Sequence, residues 1–285
     1  MRPNAFAYSR PTSIAGILSQ MRDGAVPLAG GQSLMQAMRL RLTEPSLLVD
    51  LAAASDLPAT IELHPEQLTI GAKVTHRMMV EHVGIAHEFP WLNEAARALG
   101  DVQVRNRGTV VGNLCWADPR ANWCVALAAS RATIRCRDPL HPEQTESLAI
   151  EDFFTGFRCH ALNGRLALAI DLPRAPRCRG VYREFSRQRQ DLALANICIV
   201  LGAGVARVAV GGVHHSPVRL HALEEVLRVE TRFTAAVEHA LEAAFKDLNL
   251  AAIPDDYGSA AYKQQLAKVQ LRRALQSLLN EAERG

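Results

Sequence analysis

Aromatic side chains are scarce in this chain: Phe, Trp and Tyr together make up 5% of its 285 residues. The interior must therefore rest on aliphatic packing. Excess charge of one sign is also missing. The 32 basic residues nearly balance 29 acidic ones, leaving a formal net charge of +3. That balance argues against a dedicated electrostatic partner such as duplex DNA or an anionic membrane. Long apolar runs are absent too. The longest uncharged run in the C-terminal half, 192–206, falls short of the roughly 20 residues that span a bilayer. Six cysteines are present (Cys115, Cys124, Cys136, Cys159, Cys178 and Cys198), but none forms a CxxC pair. Zinc-ribbon and ferredoxin-type cluster spacings are thereby excluded. The first ten residues carry two arginines and no apolar stretch, unlike a secretory signal. Free thiols, and a soluble protein in a reducing cytoplasm, are the expectation. No internal repeat or low-complexity tract occurs.

What is present fits an ordinary folded protein. A 48% hydrophobic content excludes a mainly disordered chain, and the length suggests two domains. In 1–55 the pattern reads helix, strand, loop, helix, strand, with Thr12-Ser13 as a cap, a strand at 26–29 and another at 47–51. In 56–175, strands are expected at 61–63 and 68–72, helices after Thr75 and at 90–99, and a closing strand at 166–173. The stretch 104–122 fits neither period and reads as a long functional loop; 126–137 reads as strand. Residues 173–179 hold two prolines and three arginines and mark a boundary. Beyond them, 180–185, 191–202 and 205–213 read as a three-stranded antiparallel meander. Helices at 220–248 and 259–283 follow, giving a small α+β domain over 179–285.

Two glycine-bearing segments carry the most chemistry. In the first, Leu28, Ala29, Gly30, Gly31, Gln32, Ser33 and Leu34 lie between a strand and a helix. Adjacent glycines let the backbone aim several N–H groups into one concavity, which at a helix N-terminus suits a phosphate. No Lys-Ser/Thr follows, so this is not a Walker A loop, nor is it GxGxxG. The second is Thr109, Val110, Val111, Gly112 and Asn113, followed by Asp118-Pro119. Either alone is compatible with an ordinary turn. Two in one domain suit a ligand with a diphosphate in its middle.

These segments, in order, resemble the FAD-binding medium subunit of the xanthine dehydrogenase and carbon monoxide dehydrogenase family of molybdenum hydroxylases. The resemblance rests on AGGQSL (29–34), IGAKVTH (70–76), RNRGTVVGNLCWADP (105–119), YREFSRQRQDLALA (182–195), VAVGGV (208–213) with PVR (217–219), and YGSAAYKQQLAKVQLRRAL (257–275). It covers nearly the whole chain. It implies an α+β fold: a two-subdomain FAD-binding domain of the vanillyl-alcohol-oxidase-like (PCMH) type over 1–175, then the small C-terminal domain. It further implies FAD on this chain, molybdopterin on a large partner subunit and two [2Fe-2S] clusters on a small one, assembled as a dimer of heterotrimers. On the matching positions, residues 28–34 would wrap the diphosphate and flavin side, and 109–113 would complete the pocket with Asp118. Ala72 and Leu166 would line it, Asn122 would lie near the adenosine end, and Arg183 near the isoalloxazine. No catalytic residue and no metal ligand is singled out.

Departures from the family pattern carry expectations of their own. Val111 stands where T-x-G-G-N has its first glycine, and a β-branched residue tolerates positive φ poorly. Asn122 replaces an aspartate, Trp116 is bulky for an adenosine pocket, and Asn163-Gly164-Arg165 lacks an acid. A subunit that kept the fold but weakened or lost FAD binding is thus the alternative, and a stand-alone flavin oxidase a weaker third. His76, His82 and His87 do not share a helix face and read as a surface helix rather than a metal site. Cys115 is assigned to packing. Arg183, Arg187 and Arg189 form a basic stretch open to a phosphate, a partner subunit or solvent. The aliphatic stripe within 220–248 is read as core.

Overall fold

The computed structural model of the chain describes residues 2–174, 178–188, 190–202, 204–248 and 257–281. Three residues of the expected boundary (Ala175, Pro176 and Arg177) and Arg189 lie outside the described residues. The first layer runs β1 (Ala7–Ser9), α1 (Ile14–Leu18), β2 (Ala25–Leu28), α2 (Leu34–Arg39) and β3 (Leu47–Asp50). Its strands are parallel in the order β1-β3-β2, so each neighbour is reached by a helical crossover. Ser13 starts α1 by accepting a hydrogen bond from Gly16 N, which turns Ile14, Ile17 and Leu18 onto Leu47, Val49 and Leu51.

The second layer begins with β4 (Ile61–Leu63) and β5 (Gln67–Gly71). Six short helices follow: α3 (His76–Glu81), α4 (Val83–Glu88), α5 (Pro90–Ala98), α6 (Val102–Arg107), α7 (Val110–Trp116) and α8 (Asn122–Ala128). Then come β6 (Thr133–Arg137), β7 (Thr145–Ala149), the small hairpin β8 (Phe154–Gly156) and β9 (Cys159–His160), and β10 (Leu166–Pro173). The strands other than the hairpin form an antiparallel sheet, β4-β5-β10-β6-β7. The expected loop over 104–122 is instead mostly helical. Asp101 and Thr109 each cap a helix of at most seven residues, and α7 stops at Ala117 in the left-handed region (φ 51°). Such helices are too short to display a 3.6-residue period. Helix α8 likewise replaces the first part of the strand expected over 126–137. All seven of its residues are buried, so no polar face marks it as a helix.

The third layer is the antiparallel sheet β11 (Arg179–Phe185), β12 (Ala195–Gly202), β13 (Val205–Gly211) and β14 (Val218–Arg219), followed by α9 (His221–Leu227), α10 (Ala235–Asp247) and α11 (Ala260–Glu281). The sheet gains a two-residue fourth strand beyond the meander expected. The single helix expected over 220–248 is two, restarted by Thr234, which accepts from Val237 N. Alternation along β12 explains how the domains join. Ile197, Ile199 and Leu201 face the C-terminal helices, whereas Cys198 and Val200 face the α5–α8 block. Polar groups cross the same boundary. Tyr182 N donates to Glu94 Oε2 at 2.8 Å, and Asn196 Nδ2 donates to Arg120 O and Tyr182 Oη at 3.0 Å each. Among the described residues no helix is long and apolar enough to cross a membrane.

Ile199 is fully buried at the centre of β12. Ile199→Ala is expected to lower unfolding stability by about 3 kcal/mol in a denaturant titration. Val229→Ala, at a position 81% exposed, should change it by about 0.5 kcal/mol or less.

Candidate cofactor cleft

A cleft of about 950 Å³ opens between the parallel sheet and the helical block, with β10 and residues 190–192 at its margins. The turn after β2 forms one wall. Gly31 has φ +71°, the left-handed region where only glycine is unstrained. Gly30 lies so close to the end of α6 that a Cβ there would sit 2.0 Å from Arg107 O. Gln32 Nε2 folds back to donate to Gly30 O at 3.2 Å. Ser33 opens α2 without capping it through its side chain. The opposite wall is the start of α7. Thr109 Oγ1 accepts from Gly112 N at 3.1 Å, and a Cβ on Gly112 would fall 2.6 Å from that oxygen and 3.7 Å from Ala29 Cβ. The two turns are therefore in contact, and two helix starts border one cleft. Of their first-turn N–H groups, Met35 donates to Gly31 O, Val110 to Val74 O and Gly112 to Thr109 Oγ1, which leaves those of Leu34, Gln36 and Val111 to favour an anion.

Beside them, Asn113 Oδ1 is buried with no hydrogen-bond partner, an acceptor that a bound ligand can satisfy. Asp118, 1% exposed, is clamped by Arg120 at 3.0 Å and Arg158 at 2.9 Å. Burial pushes its carboxyl up, but hydrogen bonds and charge from Arg120, with Arg158, hold it below the usual range overall. The Arg158 guanidinium also lies over the rings of Trp116 (5.3 Å) and Phe157 (5.2 Å). Burial pushes the Cys115 thiol up to about 12, so it stays protonated. Burial pushes His160 down. No group of three or more metal-ligating side chains occurs among the described residues. The cleft is equipped to bind rather than to supply a nucleophile.

Residues 4–175 match the family described as the FAD binding domain in molybdopterin dehydrogenase, and residues 180–278 match the CO dehydrogenase flavoprotein C-terminal domain. The chain belongs to the FAD-binding medium subunits of the molybdenum hydroxylases. It is 30% identical to the nicotine 6-hydroxylase medium subunit of Paenarthrobacter nicotinovorans, over 96% of this chain and 98% of that one. It is also 30% identical to the carbon monoxide dehydrogenase medium chain of Afipia carboxidovorans, over 97% of each. Among solved structures, carbon monoxide dehydrogenase from Hydrogenophaga pseudoflava superposes with a TM-score of 0.88 at 28% identity, covering 98% of both chains. Quinoline 2-oxidoreductase from Pseudomonas putida 86 gives 0.88 at 27%, covering 99% of both.

The residues of this medium subunit fit FAD. Adjoining helix starts, glycines that leave no room for a Cβ, and the unpartnered Asn113 acceptor make a cradle for a diphosphate and its flanking groups. Of the residues expected at the site, 28–34, Ala72, Thr109, Val111, Gly112, Asn113, Asp118, Asn122 and Leu166 line the cleft. Val110 does not: it is fully buried, and its N–H donates to Val74 O. Arg183 does not line it either. It is half-exposed on β11 and pairs with Glu94 at 3.2 Å. Asn122 Nδ2 donates to Ala95 O and, across the domain boundary, to Glu184 Oε2. The strain expected at Val111 is absent, because Val111 lies in the first turn of α7 and not among the positive-φ residues.

Two cleft residues escaped sequence reasoning. Arg158 lies 40 residues from its partner Asp118, and no local pattern connects them. His76 was expected on a surface helix, yet it is 2% exposed and lines the cleft; its place at the end of IGAKVTH was the available signal. His82 caps α4 by accepting from Ile85 N, and His87 is exposed.

Gly30→Ala is expected to weaken FAD binding about tenfold or more, about 1.4 kcal/mol, read by flavin fluorescence on titrating deflavinated protein. Asp118→Asn should cost about 3 kcal/mol at pH 7 by leaving two guanidinium groups without their carboxylate. The Asp118 carboxyl is held below its unfolded value, so its contribution is present above the ordinary carboxylate range and lost as pH falls through the folded value. Urea titrations of wild type and variant should therefore converge in strong acid.

Proposed function

We propose that this chain is the electron-transfer subunit of a three-subunit molybdenum hydroxylase. Electrons taken from a substrate at a large molybdopterin subunit pass through [2Fe-2S] clusters on a small subunit to the FAD held here, and on to NAD, a quinone or another acceptor. The observation that carries this reading is the convergence of the two glycine-bearing turns on one cleft beside the unpartnered Asn113 oxygen. FAD, when bound, supplies a centre that accepts electrons singly or in pairs. The protein's part is to hold it. The starts of α2 and α7 would bind the diphosphate, Gly30 and Gly112 let the two turns close on each other, and Leu28, Ala72 and Leu166 would exclude water. The lack of CxxC spacing here agrees with clusters held by a partner subunit. Relatives named as medium subunits or medium chains support an assembly with larger and smaller partners, which we extend to a cytoplasmic dimer of heterotrimers.

A subunit that keeps the fold without FAD is the competing reading. It rests on Val111 and Asn122, and the helical backbone at Val111 weighs against the first of these. Purified complex should release one FAD per copy of this chain in acid. Its flavin absorbance should be bleached by substrate only when all three subunits are present. A complex fully competent in substrate oxidation and acceptor reduction without flavin overturns the proposal.

A further inference from the structure

His76 is the first residue of α3, held there by its own N–H donating to Gly108 O and by Thr75, whose Oγ1 accepts from Met78 N. Its ring is wedged against Trp123 of α8, with Trp123 Nε1 to His76 Nδ1 at 3.0 Å and the two planes inclined by 19°. An indole nitrogen can only donate. Nδ1 must therefore be the acceptor, and the single proton of the neutral imidazole lies on Nε2. Burial, followed by the field of Arg105, pushes the ring down to about 3, so it stays neutral at physiological pH. Arg105, the charged group that bears on it, is itself tied to Leu99 O and Gly100 O. The other contacts described, Gly108 and Trp123, are uncharged.

The hydrogen bond described for this ring is the one at Nδ1, which leaves Nε2–H on the edge of the ring toward the cleft. That N–H looks onto Gly108, where a Cβ would stand only 2.8 Å from Nε2. Glycine at 108 keeps the space in front of this donor clear of a side chain. Gly30 closes on the same point, since a Cβ there would be 2.7 Å from Gly108 Cα. The notch so formed lies at the junction of the two turns, and His76, Gly108 and Gly30 all line the cleft. A ring that lines the cleft with one donor tautomer imposed presents that donor to an acceptor on a bound ligand.

We propose that His76 is a further positioning residue for the cofactor: its Nε2–H, fixed by Trp123, donates to a diphosphate oxygen of the bound dinucleotide. This rests on the reading of the cleft as the FAD site. The imidazole adds a neutral donor to the backbone N–H groups, and Trp123 prevents the tautomer that would present a bare nitrogen to an anion.

The test uses the full complex, deflavinated and titrated with FAD by fluorescence, with ADP as a competitor that shares the diphosphate but lacks the flavin. His76→Asn keeps an acceptor near Nδ1 for Trp123 but loses the donor at Nε2. It should weaken both FAD and ADP about ten- to a hundredfold. His76→Gln can return a donor to the Nε2 position and should restore both to within a few-fold of wild type. Wild-type affinity in His76→Asn, equal losses in Asn and Gln, or a loss for FAD with none for ADP each overturns the proposal. Should either variant misfold, His76→Phe/Trp123→Phe removes the donor and its indole partner together and should show the same joint loss. Failure of the wild-type complex to take up FAD at all is a different result: it overturns the cofactor reading itself, and this inference with it.

Discussion

The contact between Gly30 and the carbonyl of Arg107 organises the cleft. Two segments nearly eighty residues apart touch backbone to backbone, which is possible only because neither side carries a Cβ at the contact. That approach sets the start of α2 against the start of α7. The first-turn N–H groups still open, those of Leu34 and Gln36 on α2 and of Val111 on α7, then act on one volume. The parallel sheet behind the first turn and the antiparallel sheet behind the second serve as rigid supports. Short connections from β2 to α2, and from α6 to α7, leave the turns little freedom.

A second set of interactions ties this region to the C-terminal domain. Asp118 lies between α7 and α8 and is neutralised by Arg120 and Arg158. Arg120 O in turn receives Asn196 of β12, and Asn122 reaches Glu184 of β11. Burial raises the Glu184 carboxyl, although hydrogen bonds from Tyr182 and Asn122 oppose the shift. The floor of the cleft is thus continuous with the domain boundary through named hydrogen bonds. Helix α8 sits at the centre of this arrangement: Asn122 faces the boundary, Trp123 orients His76, and the rest of the helix fills the core.

Much of this was legible in the sequence. Strands of alternating or all-aliphatic character, such as 166–173 and 205–211, stood out because burial dictates their composition. The AGGQSL turn stood out because glycine is needed there for a contact. The region 102–128 did not, because its helices are short, individually capped and largely buried, and local periodicity carries no signal under those conditions. Arg183 was misplaced for a related reason. Position along β11 says nothing about which neighbour a side chain meets, and Glu94 of α5 takes it. His76 was lost because isolated histidines on a short amphipathic segment look alike, whether they cover a surface or plug a notch. Only the fold brings Trp123, 47 residues away, onto its Nδ1.

Two turns held in contact should act as a single binding element. Hydrogen–deuterium exchange of the deflavinated complex, with and without added FAD, tests it most directly. Amides of 29–34 and 109–113 should slow together, at the same FAD concentration. Protection of one segment without the other, or of neither, would contradict it.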